Sequence, residues 1–313
     1  MTHINKPLQA HLSIFSAEIF WGLMAPIGKA AMTHGIDGID LVTFRVLGGV
    51  ILFWISSLFA PKETVPMKDK LKFIGAAIFG LICNQFCYNI GLSITSPNNA
   101  SIMTTTMPIF SMIFAFLILR EPITFKKLSG VLIGCAGALI LILTSASANN
   151  AKVGNIRGDL LCLTAQCSFA LYLTLYNPLV RKYSVFTTNK WMFLWAAIMI
   201  LPFSTHHVIT TVDWSRIPST TLWEAGYVVV IGTYFCYLLT MIAQQTLRPT
   251  VVSIYNYVQP IVAVTVSVLT GMGVFKWSQG LAIIFVFSGV WLVTHSKSRR
   301  DDRPQKASAH PEH

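Results

Sequence analysis

The sequence predicts an all-α integral membrane protein with ten transmembrane helices, arranged as a 5+5 inverted-topology repeat. Three observations predict it. Of 313 residues, 54% are hydrophobic and only 11% charged, with mean hydropathy +0.61, whereas a soluble domain carries about 25% charged residues. Apolar runs close to the ~20 residues that span a bilayer recur along the whole chain. Finally, PNNASIMTTTMPIFSMIFAFLILRE (97–121) returns as PTVVSIYNYVQPIVAVTVSVLTGMG (249–273), with Pro97 on Pro249, Ser101 on Ser253, Ile102 on Ile254 and Pro108 on Pro260. The same offset of 152 positions carries Gly137 onto Gly289. The chain is therefore expected to be built twice: 1–150 as the first five-helix repeat, 151–296 as the second, and 297–313 as a polar, disordered cytoplasmic tail.

The first span, 11–33, places Glu18, Trp21, Ala25 and Lys29 on one helical face. Glu18 interrupts the apolar run and no small-residue cleavage site follows, so this is not a cleavable signal peptide. A charge at mid-span costs roughly 2.5–3.5 kcal/mol on insertion scales, so Glu18 is a functional candidate. It serves as a substrate-amine contact or a proton-coupling carboxylate, or it simply reaches water or a loop lysine at the cytoplasmic end. Lys29, nearer the outer end, can snorkel. The second span, 39–60, carries Arg45 about one turn from its outer end, where pairing with Asp40 or a carbonyl competes with a substrate role. The third, 71–92, presents two polar rows, Asn84 with Tyr88 and Gln85 with Asn89, as cavity lining or interhelical glue.

The fourth span, 98–119, opens with Asn98-Asn99, passes Thr104, Thr105 and Thr106, meets Pro108 and ends on Arg120-Glu121. Proline lacks an N–H, so it frees the carbonyl about four residues earlier for a neighbour, water or ligand. Thr104 occupies that position before Pro108, and Asn256 occupies it before Pro260. The fifth span, 126–145, holds Gly130-x-x-x-Gly134, a spacing that permits close helix approach and leaves a homodimer as an expectation.

The sixth, 158–179, brings Gln166, Tyr172 and Tyr176. The seventh, 188–203, is short and closed by Pro202. In the eighth, 219–244, Trp223 and Tyr227 read as interfacial anchors, while Tyr234 and Tyr237 lie deep enough to line an amphipathic pocket. The ninth, 250–272, sets Ser253, Tyr255, Asn256, Tyr257 and Gln259 before Pro260, and 277–295 completes the set. The candidate substrate contacts are Glu18, Trp21, Asn84, Tyr88, Thr104, Thr105, Tyr172, Tyr234, Tyr237, Asn256 and Gln259. Lys29, Arg45, Arg120 and Glu121 are the candidate gating or structural charges.

Loop charge sets the orientation. With a cytoplasmic N-terminus, the inside segments hold 17 Lys and Arg, and the outside loops hold 4, namely Lys152, Arg157, Arg216 and Lys276. Both termini are therefore expected in the cytoplasm, in a bacterial inner (plasma) membrane. The net charge of +11 is then a topology signal with attraction to anionic lipid. The charges sit in short loops without an aromatic-lined basic domain, so nucleic acid is not expected as a partner. An odd number of helices per half makes the second copy enter from the opposite side, a common plan of secondary transporters with the substrate near the midplane.

FWGLMAPIGKAA, LVTFRVLGG, the segment SPNNASIMTTTMPIFSMIFAFLILREPI and LSGVLIGCAGALILIL together resemble the drug/metabolite transporter superfamily, in its EamA-type ten-helix branch. The resemblance runs from about Leu12 to Thr294. It implies a central cavity lined mainly by helices 1, 3, 4, 6, 8 and 9, and movement of amino acids or other small metabolites without ATP. Efflux is the expected direction. The end of the ninth helix, with Gly273-Val274, offers no counterpart of Arg120-Glu121, so the two gates need not behave alike.

A cavity rich in amides, threonines and tyrosines suits a zwitterionic or neutral amphipathic solute. The phosphate- or nucleotide-sugar-translocating branch would call for converging Lys and Arg in the second half, where only Lys190 and Arg248 approach the membrane. An intramembrane transferase, the alternative from another class, needs an acid/base or nucleophile set that is not apparent. The sequence lacks HExxH, GxSxG and GxxxxGK[ST], and its six cysteines lie inside apolar runs. No enzyme activity, cofactor or metal is expected.

Overall fold

The structure, a computed structural model, describes residues 6–146, 155–269 and 277–296. Among the described residues every regular element is helical. The expected boundary at 150/151, Lys152, Gly273-Val274, Lys276 and the tail 297–313 lie outside them.

The helices follow the predicted order. Helix α1 is Lys6–Thr33 and α2 is Gly38–Leu58, entered through a capping box in which the Asp37 side chain accepts from the Ile39 and Asp40 N–H groups. Helix α3, Met67–Ile94, loosens into a π turn at Ile78–Cys83. Helix α4 comes in two pieces, Pro97–Thr104 and Met107–Leu119. It opens on the Ser96 cap with proline at the first turn and ends where Arg120 turns left-handed at φ 54°. Helix α5 is Phe125–Ala146 and α6 is Ile156–Leu175. Helix α7, Val185–Thr211, runs straight through Pro202, so that proline does not close the span as expected. The stop rule belongs to aqueous helices; within a membrane the neighbouring groups tolerate the break. Helix α8, Ser219–Thr246, carries its own π turn at Val230–Phe235. Helix α9 is Pro249–Ile254, a 3-10 turn at Tyr255–Tyr257, then Val258–Leu269. Helix α10 is Trp277–Thr294.

Nine of these, all but the interrupted α9, are long and apolar enough to cross a membrane among the described residues. Their outer surface is apolar, with Phe59, Phe203 and Trp223 facing outward, as lipid contact demands. This is an integral membrane protein. The breaks also recur in register: Ile78–Cys83 falls on Val230–Phe235, and Pro97–Thr104 falls on Pro249 and Asn256, at the same 152-residue offset.

Helices α5 and α10 meet through glycine. A Cβ on Gly289 would lie 2.6 Å from the Gly130 carbonyl oxygen and 2.8 Å from the Gly134 Cα. The Gly130/Gly134 stripe is thus consumed inside the chain rather than left for a second copy. The interior between the other helices is aromatic. Phe53, Phe193 and Tyr237 pack edge to face or tilted at 5.1–5.4 Å, and Trp21 meets Tyr237 at 5.9 Å.

Candidate functional site

The two broken helices touch at their breaks. In α4, Thr104, Thr105 and Thr106 each donate a hydroxyl to the carbonyl three residues back, at 2.7, 2.7 and 2.6 Å. That tightens the turn before Pro108 but leaves the Thr104 carbonyl without its helical donor. Asn256, the residue at the same position of α9, donates Nδ2 to that carbonyl at 3.0 Å. Its Oδ1 accepts from Gln259 Nε2 at 2.6 Å, and the same Nε2 donates to Glu18 Oε2 of α1 at 2.7 Å. A polar chain therefore links α4, α9 and α1 through the centre of the bundle.

A cavity opens beside this chain. Its walls are Trp21 and Met24 of α1, Arg45 of α2, Asn84, Gln85 and Tyr88 of α3, and Thr104 and Met107 of α4. Gln166 and Phe169 of α6, Tyr237 of α8, and Asn256 and Gln259 of α9 complete it. Most polar wall groups are held in place by fixed bonds. Trp21 Nε1 donates to the Gly232 carbonyl at 2.9 Å, and Asn84 Nδ2 donates to the Ala165 carbonyl at 3.1 Å. Gln85 Nε2 donates to the Tyr237 hydroxyl at 3.2 Å, which passes its own proton to the Gly80 carbonyl at 3.1 Å. The Gly80 and Gly232 carbonyls belong to the two π turns, so these register slips supply acceptors to the wall.

Of the expected contacts, Trp21, Asn84, Tyr88, Thr104, Tyr237, Asn256 and Gln259 come together in this wall. Glu18 stands behind it, buried against Gln259. Thr105 is spent on its own helix. Tyr172 is fully buried, its hydroxyl on the Met241 sulfur at 3.3 Å. Tyr234 pairs with the Ser56 hydroxyl at 2.6 Å and packs on Phe53. Lys29 caps the end of α3, donating to the Leu92, Ser93 and Thr95 carbonyls at 2.6, 2.8 and 3.2 Å. Arg120 is exposed, and Glu121 is ion-paired at 3.0 Å with the buried Lys127, six residues away.

Arg45 was expected to pair with Asp40 or a carbonyl, or to serve the substrate; among the described residues its side-chain partner is neither Asp40 nor a carbonyl but the Thr233 hydroxyl. Five residues on one helix point roughly 140° apart, and Asp40 turns to the helix entrance while Arg45 turns into the cavity. Asp40 accepts from the Asp37 N–H at 2.8 Å; Arg45 Nε donates to the Thr233 hydroxyl at 2.9 Å.

Three wall residues were not singled out from the sequence: Met24, Met107 and Phe169. Met24 lies three residues after Trp21, Phe169 three after Gln166, and Met107 directly before Pro108. Helical spacing from the polar candidates would have found the first two.

One cluster offers metal-type ligands. Asp37, Asp40 and His207 hold their ligand atoms within 4.8 Å of one another at the α2 entrance. His207 Nε2 lies 2.7 Å from Asp37 Oδ2. Burial acts to raise the Asp37 carboxyl, but the Asp40 N–H, His207 and the Ile39 N–H outweigh it and hold it below its ordinary value. The trio reads as a clasp joining α2 to α7.

Comparison with known proteins bears on what such a cavity does. The chain is 24% identical to an uncharacterized transporter, YetK, of Bacillus subtilis over 96% of this chain and 91% of that protein. It is 24% identical to an S-adenosylmethionine/S-adenosylhomocysteine transporter of Chlamydia trachomatis, over 96% and 94%. A WAT1-related protein of Arabidopsis thaliana is 23% identical over 95% and 88%. A crystal structure of a protein superposes with a TM-score of 0.73 at 15% identity, covering 91% of this chain and 96% of that one, which establishes the shared fold. The family described as the EamA-like transporter family matches residues 8–143 and again 156–295. Matched twice and over most of its length, the chain belongs to the EamA-like transporter family.

Proposed function

We propose that this protein is a secondary transporter of a small zwitterionic or neutral amphipathic metabolite, exported across a bacterial plasma membrane by alternating access. The observation that carries the reading is the polar cavity built where the two broken helices cross, with Asn256 of one holding the freed Thr104 carbonyl of the other. Polar groups that line a cavity inside a membrane bundle mark, by default, the path of something polar.

The 5+5 inverted repeat is part of the proposal. It is supported by the recurrence of the π turns and helix breaks at one offset, and by the two separate family matches. Seventeen cytoplasmic Lys and Arg against four outside support cytoplasmic termini. The relatives named as S-adenosylmethionine/S-adenosylhomocysteine transporters make solutes with an amino-acid head the first class to test. A single cationic side chain in the described wall disfavours a phosphate or nucleotide-sugar substrate, whose charge calls for several.

The test is flux. In proteoliposomes the purified protein is expected to move an amino-acid-type solute down its gradient without ATP. A metabolite screen that yields no flux above empty liposomes overturns the reading. Repeating the assay under a pH gradient, in the wild type and in Glu18→Gln, shows whether Glu18 couples the flux to protons.

A further inference from the structure

Arg45 is the one charged side chain in the described cavity wall, and it is only 3% exposed. A guanidinium inside a span is costly, so it is kept with a compensating partner or for a use. Its recorded partner is neutral: Nε donates to the Thr233 hydroxyl. That hydroxyl in turn donates to the Val228 carbonyl at 2.9 Å, across the π turn of α8. The Thr233 oxygen is thereby oriented to accept from Nε, which aligns the guanidinium plane and leaves the edge with the two terminal nitrogens uncommitted. Among the described residues no carboxylate lies within 4.0 Å of it. Asp40 is committed at the α2 entrance and Glu18 to Gln259.

A second wall group is incomplete in the complementary sense. Gln85 is 1% exposed, and its Nε2 donates to the Tyr237 hydroxyl, whose own proton goes to the Gly80 carbonyl. This chain fixes which way the amide faces, because a reversed Gln85 would set two acceptors against each other. The Gln85 Oε1 is left buried without a donor. A buried acceptor in that condition costs about 1–3 kcal/mol, so the wall holds a cation without an anion and an acceptor without a donor.

We propose that Arg45 anchors the carboxylate of the transported solute through its two terminal nitrogens, and that Gln85 Oε1 accepts from an N–H of the same solute. Planar bidentate pairing is the geometry a guanidinium offers a carboxylate. A single arginine matches one negative charge better than the double charge of a phosphate. The inference rests on the transport reading and assigns the end of the cavity that recognises the acid group.

The experiment measures thermal stabilisation of the full-length protein in detergent by the twenty common L-amino acids, each beside its carboxamide, and by inorganic phosphate. Wild type, Arg45→Gln, Arg45→Lys and Thr233→Val are compared. At least one amino acid is expected to stabilise the wild type while its carboxamide does not. Its apparent affinity should fall about tenfold or more in Arg45→Gln, and less in Thr233→Val. Arg45→Lys keeps the charge but not the fork and should fall between. Without ligand, Arg45→Gln should melt at or above the wild-type temperature, because it removes a buried charge that lacks a counter-ion.

A ligand-free Arg45→Gln that melts several degrees lower marks a structural arginine and overturns the proposal. So does equal stabilisation by acids and carboxamides, stabilisation by phosphate alone, or no stabilisation by any probe. Flux separates this from the wider reading. Transport of a solute without a carboxylate, undiminished in Arg45→Gln, removes the subsite and leaves the transporter. Carboxylate-dependent stabilisation without flux does the reverse.

Discussion

The breaks in α4 and α9 occupy equivalent positions 152 residues apart, yet they use their polar groups in opposite ways. In α4 three threonine hydroxyls turn back onto their own helix, so the break offers only a bare carbonyl. In α9 the amides of Asn256 and Gln259 reach out, one to that carbonyl and one to Glu18 on α1. One break supplies the acceptor and the other the donors. Two breaks in register along the chain thus carry an asymmetric chemistry, and the joint between them runs through α9 side chains.

The largest expected effect tests that asymmetry directly. Asn256→Ala leaves the Thr104 carbonyl without a partner and takes from Gln259 Nε2 one of its two acceptors, Glu18 remaining, at about 3 kcal/mol for two bonds and a buried orphan together. Flux should fall about tenfold or more even where the protein folds. Thr104→Ala removes only a hydroxyl serving its own helix, so flux should stay within about twofold of wild type. Equal losses in the two variants, measured by flux and melting temperature side by side, would break the comparison.

Glu18 gives the next effect and separates charge from hydrogen bonding. Glu18→Ala removes one of the two acceptors of the Gln259 amide, a bond to an acidic group worth about 2 kcal/mol. Glu18→Gln keeps an acceptor in place, so its melting temperature should lie near the wild type. If Glu18→Gln melts as low as Glu18→Ala, the carboxylate acts through something other than this bond. If Glu18→Gln keeps its stability but loses flux, the group has a role in the transport cycle as well as in the joint.

Much of this was legible in the sequence because it depends on spacing. Two prolines in phase located the breaks, and the rule that proline frees a carbonyl four residues back named Thr104 and Asn256 before their bond was seen. What was not legible depends on the azimuth of a side chain and on tertiary packing. Tyr172 is as buried as Tyr237 and Tyr234 is partly buried, yet their hydroxyls go to Met241 and Ser56, and of the three only Tyr237 lines the cavity. Arg45 was expected on Asp40 or a carbonyl, with a substrate role as the alternative, but a five-residue step turns it from Asp40 and into the cavity wall. The π turns leave no apolar periodicity of their own, so Thr233, which orients Arg45, carried no signal. Pro202 resembled a terminator because its rule was learned from helices in water.

The smallest effect sharpens the comparison from the periphery. Lys29 donates to the Leu92, Ser93 and Thr95 carbonyls at the end of α3. Arg181, 152 positions later, donates to the Gln244, Thr246 and Leu247 carbonyls at the end of α8, at 3.3, 3.4 and 2.8 Å. Leu92 maps onto Gln244 and Thr95 onto Leu247 at the same offset. Both are cations satisfying the last carbonyls of a helix, where the helix dipole also favours positive charge. Lys29→Met and Arg181→Met should each cost about 1 kcal/mol, with similar shifts in melting temperature. In the inverted repeat proposed above these caps lie on opposite membrane faces. In a background without the six native cysteines, a membrane-impermeant thiol-reactive probe should then label Lys29→Cys from one side of sealed vesicles and Arg181→Cys from the other. Labelling of both from one side would sink the inversion. Matching shifts with opposite-face labelling would place the symmetry of this chain in its backbone caps and its asymmetry in the central joint.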